Sequence, residues 1–434
     1  RTFVGGVTKV VIAVHQKLEH MAHLARRLRS GYMEGATGTP IDSVLALGVG
    51  GSNLGPAMAS AALSDLAHPG VDLRFSSNLD GADLVDTIRS LDPASTLVIV
   101  SSKSFTTAET LAAASEARAW MANGVGPALA DRHLVAVTGD PSRAERWGID
   151  AEMIFSVPEW VGGRFSLASA VGLGLMISIG PEAFGELLEG MRVVDEHLAA
   201  TPPAVNGPVM LGLLDVWHRS FLGAGSLAVV PYSSRLSRFP SFLQQLIMES
   251  LGKKVTTEGL PLEGPTGGVV WGATGTDSQH AFFQYLHQGT EVVPCDLIGF
   301  MRPRHDREGA HHDMLVANLL AQAEALAVGR TSDEAAADGT PPELIPHRTM
   351  PGNRPSTLIL APKLNPSVLG QLIALYEHRA VVAGALWGIN PFDQWGVQLG
   401  KSLAERFGQW ANAETGGDND MVGYYRRLWD SEDG

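Results

Sequence analysis

Apolar positions along this chain recur in two rhythms that alternate for most of its length. Val7, Val10, Val11, Val14, Leu18, Met21, Leu24 and Leu28 fall at three- and four-residue spacing and predict an amphipathic helix over residues 7–30. Arg26, Arg27 and Arg29 stand at its end, where cations complement the helix dipole. Short β-branched runs follow at 44–47, 73–76, 97–100 and 135–137 and predict buried strands, with segments of helical composition between them. That alternation predicts a parallel sheet with helices on both faces, and so an α/β fold. Past Pro181 and the polar segment around Pro202-Pro203, a plausible domain boundary, the style repeats. Runs at 227–230, 269–271, 292–294 and 358–360 read as strands, and Pro240 opens a helix reaching Ser250. Residues 331–345 read as a polar surface excursion.

The chemistry-bearing residues gather where strands give way to helices. After the 97–100 run come Ser101, Ser102, Lys103, Ser104, Thr106 and Thr107, ahead of a strongly helical stretch. A helix N-terminus offers unpaired N–H groups and the positive end of the macrodipole. Short hydroxyls and a lysine there suit a phosphate group. A capping cluster is the local alternative, but five hydroxyls around one lysine exceed what a cap needs. After the 44–47 run comes Gly48-Val49-Gly50-Gly51-Ser52-Asn53-Leu54-Gly55-Pro56. It fails the dinucleotide fingerprint at Asn53 and lacks the Gly-Lys-Ser/Thr of a P-loop, leaving a contact to ligand oxygen through Gly51 and Ser52. Both stretches fall at strand carboxyl ends, where ligands collect in such sheets.

Composition narrows the function classes. The chain has 434 residues, 45% hydrophobic and 18% charged, which describes a globular protein with room for two or three cores. Its 49 glycines suit many strand-to-helix turns. A net charge of −14 argues against a nucleic-acid surface, so an anionic ligand must be held by local donors. The single cysteine, Cys295, excludes an intrachain disulfide and a cysteine-based metal site and fits a reducing, cytoplasmic setting. The longest apolar stretch, 167–179, is too short for a membrane span.

Further on, isolated residues invite chemical roles, each beside a plainer reading. Arg164 follows two glycines in Gly162-Gly163-Arg164-Phe165-Ser166 and opens a long apolar helix to about Ile179; a surface arginine is the plain alternative. Gln245 and Glu249 are spaced i, i+4 on the 240–250 helix, where apolar neighbours could raise the carboxyl pKa toward that of a general base. An exposed acid near a helix end is the plain alternative. Asp277 or Ser278 would cap a helix with His280 in its first turn, keeping the imidazole neutral and able to shuttle a proton; a structural histidine is the commoner case. His305, His311 and His312 do not make a metal site, since adjacent side chains diverge. Gln394, Gln398 and Lys401 would share one helix face.

Taken together, the glycine turn at 48–56, Ser102 to Thr110, Gly162 to Leu167, Gln244-Gln245 with Met248-Glu249-Ser250, Gly275-Thr276 with Gln279-His280, and Tyr376-Glu377-His378 with Phe392 to Lys401 form an ordered set. That set resembles the glucose-6-phosphate isomerase (phosphoglucose isomerase) family across nearly the whole chain. The resemblance implies two SIS-type α/β/α sandwich domains with mainly parallel sheets, residues 1–183 and 184–400, and a C-terminal helical segment, 401–434. It implies a homodimer that interconverts glucose 6-phosphate and fructose 6-phosphate without cofactor or metal. Ser102, Lys103, Ser104 and Thr107 would hold the phosphate, with Gly51 and Ser52 near the sugar. Glu249 would move a proton between C2 and C1 through a cis-enediolate that Arg164 stabilises. His280, reaching the site from the partner subunit, would open the ring with Lys401, while Glu109, Gln245 and Gln394 would contact hydroxyls. Four positions depart from the family pattern: Asn53 stands where aspartate is common, Ser104 where threonine is, and Ala273 and Gln398 where glutamate is. A phosphosugar sensor on the same domains, or an isomerase for another hexose 6-phosphate such as mannose 6-phosphate, are the rival functions. The sensor has no need of Glu249, Arg164, His280 and Lys401 at once.

Overall fold

Two parallel sheets organise the chain, and the computed structural model describes residues 4–304, 309–411 and 423. The first sheet contains β1 (Ser43–Leu47), β2 (Asp72–Ser76), β3 (Thr96–Ser101), β4 (Leu134–Thr138) and β5 (Ile154–Ser156), in the order β2-β1-β3-β4-β5. The second contains β6 (Ser226–Pro231), β7 (Val269–Trp271), β8 (Cys295–Phe300) and β9 (Ser356–Ala361), in the order β7-β6-β8-β9. All their pairings are parallel, as the strand–helix alternation predicts. In both sheets the first strand is flanked by the second on one side and the third on the other. The chain therefore reverses its direction of travel beside β1 and again beside β6, which opens a crevice at the carboxyl ends of β1 and β3.

Burial follows the two-residue period of each strand. Val44, Ile99, Val135 and Val137 face a core that also holds Leu227, Val229, Ile298 and Phe300, so one apolar cluster runs between the sheets. Leu45, Leu47, Val98 and Val100 point the opposite way, onto the helix Ala108–Val125 and its neighbours. Ala228, Val230, Cys295 and Leu297 do the same for the second sheet. All six residues of β3 are buried, and its Leu, Val and Ile side chains each contribute roughly 1.5–3 kcal/mol by leaving water. Two long helices, Pro181–Ala200 and Pro366–Leu386, meet through glycine. A β-carbon at Gly190 would lie 1.9 Å from the Ser367 carbonyl oxygen, and one at Gly370 2.0 Å from that of Leu187. The expected domain limits at 183/184 and 400/401 fall inside the helices Pro181–Ala200 and Gln398–Ala411.

Several local expectations are corrected. The strand read at 292–294 begins instead at Cys295, after Pro294, and runs to Phe300. The apolar run after Arg164 is broken: single 3₁₀ turns at Gly163–Phe165 and Ala170–Gly172 precede a helix confined to Leu173–Ile179. Serines cause the interruption, since Ser166 Oγ donates to the Gly163 carbonyl at 2.5 Å and Ser169 Oγ accepts from Val171 N–H at 3.3 Å. The 331–345 segment is not wholly a surface excursion. It holds the helix Ser332–Ala337, started by a capping box between Thr331 and Glu334, with its own Ala335 buried. The β5 strand escaped the sequence reading.

Candidate active site

The glycine turn and the hydroxyl-rich loop adjoin at the crevice between β1 and β3. A β-carbon on Gly48 would come within 2.8 Å of Ser52 Cβ and 3.2 Å of the Ser101 carbonyl oxygen, so the turn closes directly on the loop. Ser101 and Ser102 are buried, Thr107 is half-buried, and Lys103, Ser104 and Thr106 are exposed. Thr107 occupies the N-cap position of the helix Ala108–Val125 yet makes no capping bond. Its Oγ1 instead accepts from Ser102 Oγ at 3.0 Å, and Ser104 Oγ pairs with Thr106 Oγ1 at 2.6 Å. The hydroxyls are thus ordered among themselves, and the first N–H groups of the helix lie beside them. Phe105 holds the loop by turning back at φ 49°, with its ring buried edge-on against Trp147. Lys103 Nζ donates to the carbonyls of Glu159 at 2.7 Å and Val161 at 2.8 Å, using two of its three hydrogens to strap the loop to the segment ahead of Arg164. Glu109 is half-buried in the helix's first turn.

Arg164 is the centre of a second cluster, assembled from both sheets' connections. Its turn packs on the glycine turn so tightly that a β-carbon at Gly51 would lie 2.3 Å from the Gly163 carbonyl carbon. Arg164 Nε donates to Ser250 Oγ at 2.7 Å, and Nη2 to the carbonyls of Pro391 at 2.5 Å and Asp393 at 3.1 Å. Nη1 donates to Gln394 Oε1 at 3.2 Å and pairs with Glu249 Oε2 at 3.1 Å. All five guanidinium hydrogens have partners. The arginine side chain is 2% exposed and the Glu249 side chain 22%, so the cation is fixed in the wall while the carboxylate stays reachable. Burial lowers the Arg164 pKa from its ordinary value, and the nearby Glu249 charge works against that shift. The plain reading of Arg164 as a surface residue is therefore overturned.

Glu249 reaches this position through an irregular helix. The helix begins at Phe239–Leu243 with Pro240 in its first turn, as expected, but widens into a π-helical segment over Gln244–Glu249. Simple i, i+4 facing consequently does not describe Gln245 and Glu249; π segments are frequent at functional sites. Gln245 Nε2 would stand 3.1 Å from a β-carbon on Gly50, so its amide abuts the glycine turn. Beside Glu249 opens a cleft of about 850 Å³ whose lining includes Gln245, Glu249, Lys253, Trp271, Asp393 and Gln394. The second half thus supplies its groups from the end of a helix and from the 390–394 segment, whereas the first supplies them from strand ends.

Two expected residues are not drawn into this cluster. His280 ends a single 3₁₀ turn, Asp277–His280, with Thr276 at the N-cap, so neither Asp277 nor Ser278 caps a helix there and the dipole argument lapses. The histidine is exposed and does not line the cleft. Lys401 is exposed on the helix Gln398–Ala411. Gln394 has φ −151° and ψ 47° and precedes a 3₁₀ turn, so it shares no helix face with Lys401. Sequence reasoning missed Ser250, Lys253 and Asp393. Lys253 had a signal, standing four residues after Glu249, and Asp393 directly precedes Gln394. Among the described residues no group of three or more His, Cys, Asp or Glu could hold a metal ion; His305 lies outside the described residues. No described helix is long and apolar enough to cross a membrane.

Comparison with known proteins decides the family. The family model described as phosphoglucose isomerase matches residues 2–421. The chain belongs to the phosphoglucose isomerase family. Among its relatives in this family, glucose-6-phosphate isomerase 1 of Streptomyces avermitilis is 54% identical over 403 residues, which cover 92% of this chain and 73% of that protein. The enzyme of Anaeromyxobacter dehalogenans is 50% identical over 426 residues, covering 96% of this chain and 78% of that one. The crystal structure of a glucose-6-phosphate isomerase from Chlamydia trachomatis matches with a TM-score of 0.82 and 34% identity, over 96% of this chain and 76% of that one. The α/β architecture with its parallel sheets is that of the phosphoglucose isomerase family, and the chain is a phosphosugar isomerase.

Proposed function

We propose that this protein interconverts glucose 6-phosphate and fructose 6-phosphate. The observation that carries the reading is the contact of Arg164 with Glu249, 3.1 Å apart at the edge of the large cleft. A carboxylate that removes a proton from C2 and returns it to C1 creates negative charge on the oxygens of a cis-enediolate. A fixed guanidinium beside that carboxylate is placed to stabilise the charge as it forms. Both contacts of Arg164 Nη1, to Glu249 and Gln394, go to residues that line the cleft, and exchanging them for substrate oxygen leaves the other three holding the cation.

In this scheme Ser102, Ser104, Thr107 and Lys103's loop take the phosphate, and Gly51, Ser52, Glu109, Gln245 and Gln394 contact the sugar. Binding energy at the phosphate end then positions C1 and C2 over Glu249. His280 and Lys401 open the ring, His280 from the partner subunit of a homodimer, consistent with its exposure away from its own chain's cleft. The relatives' names, glucose-6-phosphate isomerase, support glucose 6-phosphate as one of the two. The proton shuttles between carbons of one molecule, so the scheme requires no cofactor.

A coupled assay of fructose 6-phosphate conversion tests the reading with wild type and Glu249→Gln. Wild type should turn over, and E249Q should lose on the order of 10²–10⁴ in kcat while still binding substrate. An active E249Q removes the base assignment. A wild type that binds but never turns over makes the protein a sensor, and faster turnover of mannose 6-phosphate moves the substrate to another hexose.

A further inference from the structure

Lys253 stands one turn after Glu249 and has been given no task. Its side chain is 11% exposed, and its ammonium has three acceptors for three hydrogens: the Glu249 carbonyl at 3.0 Å, Asp393 Oδ1 at 2.8 Å and the Asp393 carbonyl. Nothing is left over for a ligand, so Lys253 does not act by touching substrate. What it touches is the junction that matters. The Asp393 carbonyl accepts from Lys253 Nζ and also from Arg164 Nη2, so one peptide oxygen is gripped by two cations. Gln394, the next residue, receives Arg164 Nη1. Lys253 therefore joins the last turn of the helix that carries the carboxylate to the segment that carries the arginine's acceptors. The Asp393 carboxylate offsets the nearby positive charge, which lets two cations share so dry a place.

We propose that Lys253 and Asp393 form a positioning pair for the proton-transfer step, holding the 390–394 segment against the Glu249 helix so that Arg164 and Glu249 keep their mutual distance. This rests on the isomerase reading given above. Near-attack geometry is sensitive to displacements of about 1 Å, which can cost on the order of 10²-fold in rate. Loss of the pair should therefore fall on kcat. Substrate affinity, set mainly at the hydroxyl loop, which neither residue touches, should change little.

The test is steady-state kinetics of fructose 6-phosphate conversion by wild type, Lys253→Met, Lys253→Arg, Asp393→Asn and the double variant K253M/D393N, with inhibition by inorganic phosphate measured in parallel and thermal unfolding of each. K253M should lose roughly 10–10²-fold in kcat, with KM and phosphate inhibition near wild type. K253R should recover much of the loss, since it can reach the same acceptors. D393N keeps the carbonyl and should lose less, and the double variant should be no slower than K253M because the two act as a unit. A K253M enzyme that melts lower but keeps kcat overturns the pair as a catalytic device and leaves it structural. A loss of phosphate inhibition parallel to that of kcat overturns it as well, because the effect is then not confined to the reacting end. A wild type without isomerase activity overturns the isomerase reading itself, and the pair's role with it; full kcat in K253M beside an active wild type overturns the pair alone.

Discussion

Gly51 and Gly163 lie back to back, and the contact is lopsided. A β-carbon at Gly51 would meet the Gly163 carbonyl carbon and oxygen at 2.3 Å, whereas one at Gly163 would find Gly51 Cα no nearer than 3.9 Å. Backbone cannot swing aside as a side-chain tip can. Gly51→Ala should therefore push the Arg164 turn away from the glycine turn, costing about 1–3 kcal/mol of stability and more than tenfold in kcat. Gly163→Ala should be mild in both. Thermal unfolding and turnover of the two variants check the asymmetry; equal effects would contradict it.

Lys103 predicts a different signature from its hydroxyl neighbours. Its ammonium is spent on the carbonyls of Glu159 and Val161, just ahead of Gly162-Gly163-Arg164. On the proposed scheme Ser102→Ala and Thr107→Val each remove a phosphate contact, and the Ser102–Thr107 bond with it, and should raise KM, with kcat kept. Lys103→Met should raise KM and lower kcat together, because the Arg164 turn loses a tether. Kinetics of the three variants decide the matter.

Arg379 governs stability away from the site. It donates to both oxygens of Asp215, at 2.7 and 2.5 Å, and to Asp296 Oδ2 at 2.5 Å, which also accepts from Tyr376 Oη at 2.8 Å. Arg379, Asp296 and Tyr376 are buried. Burial pushes the Asp215 pKa up, with the Arg379 charge opposing. Arg379→Met strands two carboxylates and should destabilise the protein by roughly 3–5 kcal/mol, seen as lost soluble yield or a large fall in Tm. Replacing Asp215 and Asp296 by Asn in the same chain should restore part of it.

Glu377, on the helix Pro366–Leu386, gives a pH dependence. Burial first, and the Asp195 charge second, push its carboxyl up to about 8. In the unfolded chain the group ionises in the ordinary carboxylate range, near 4.5. The folded state thus holds a proton that the unfolded state releases, and stability falls as pH rises from the ordinary range to about 8. Glu377→Gln removes this term. Its Tm should match wild type near pH 4.5 and exceed it progressively up to pH 8, by the equivalent of at most about 5 kcal/mol. A constant difference across that range would refute the assignment.

Much of the scaffold is legible in the sequence because buried parallel strands are written as apolar runs, and β1, β3, β4 and β6 stand where those runs fall. The loop that carries Ser102 is legible too, being dense in hydroxyls that a bare cap does not need, whereas Arg164 read by itself is a surface arginine until its partners at 249–250 and 391–394 fold over it. What escapes is decided by partners distant in sequence. β8 hides because Asp296 interrupts its apolar pattern, and only Arg379 and Tyr376, some 80 residues on, explain a carboxylate there. The π segment under Glu249 comes from how its helix packs, and side-chain spacing does not record it. Lys253, past the end of its helix, reads as an ordinary surface lysine until the 390–394 segment folds against it.

The sharing of Arg164 between two sheets has a consequence for how the protein matures. The residue follows β5 and is covered by groups at Glu249, Ser250, Pro391, Asp393 and Gln394, so its last acceptors exist only after nearly the whole chain has been made and docked. A nascent or clipped first half holds a guanidinium with nothing to face, and a second half holds a carboxylate without its counter-charge. On the proposed mechanism activity is therefore a late product of folding, and forms in which either half is undocked should be silent.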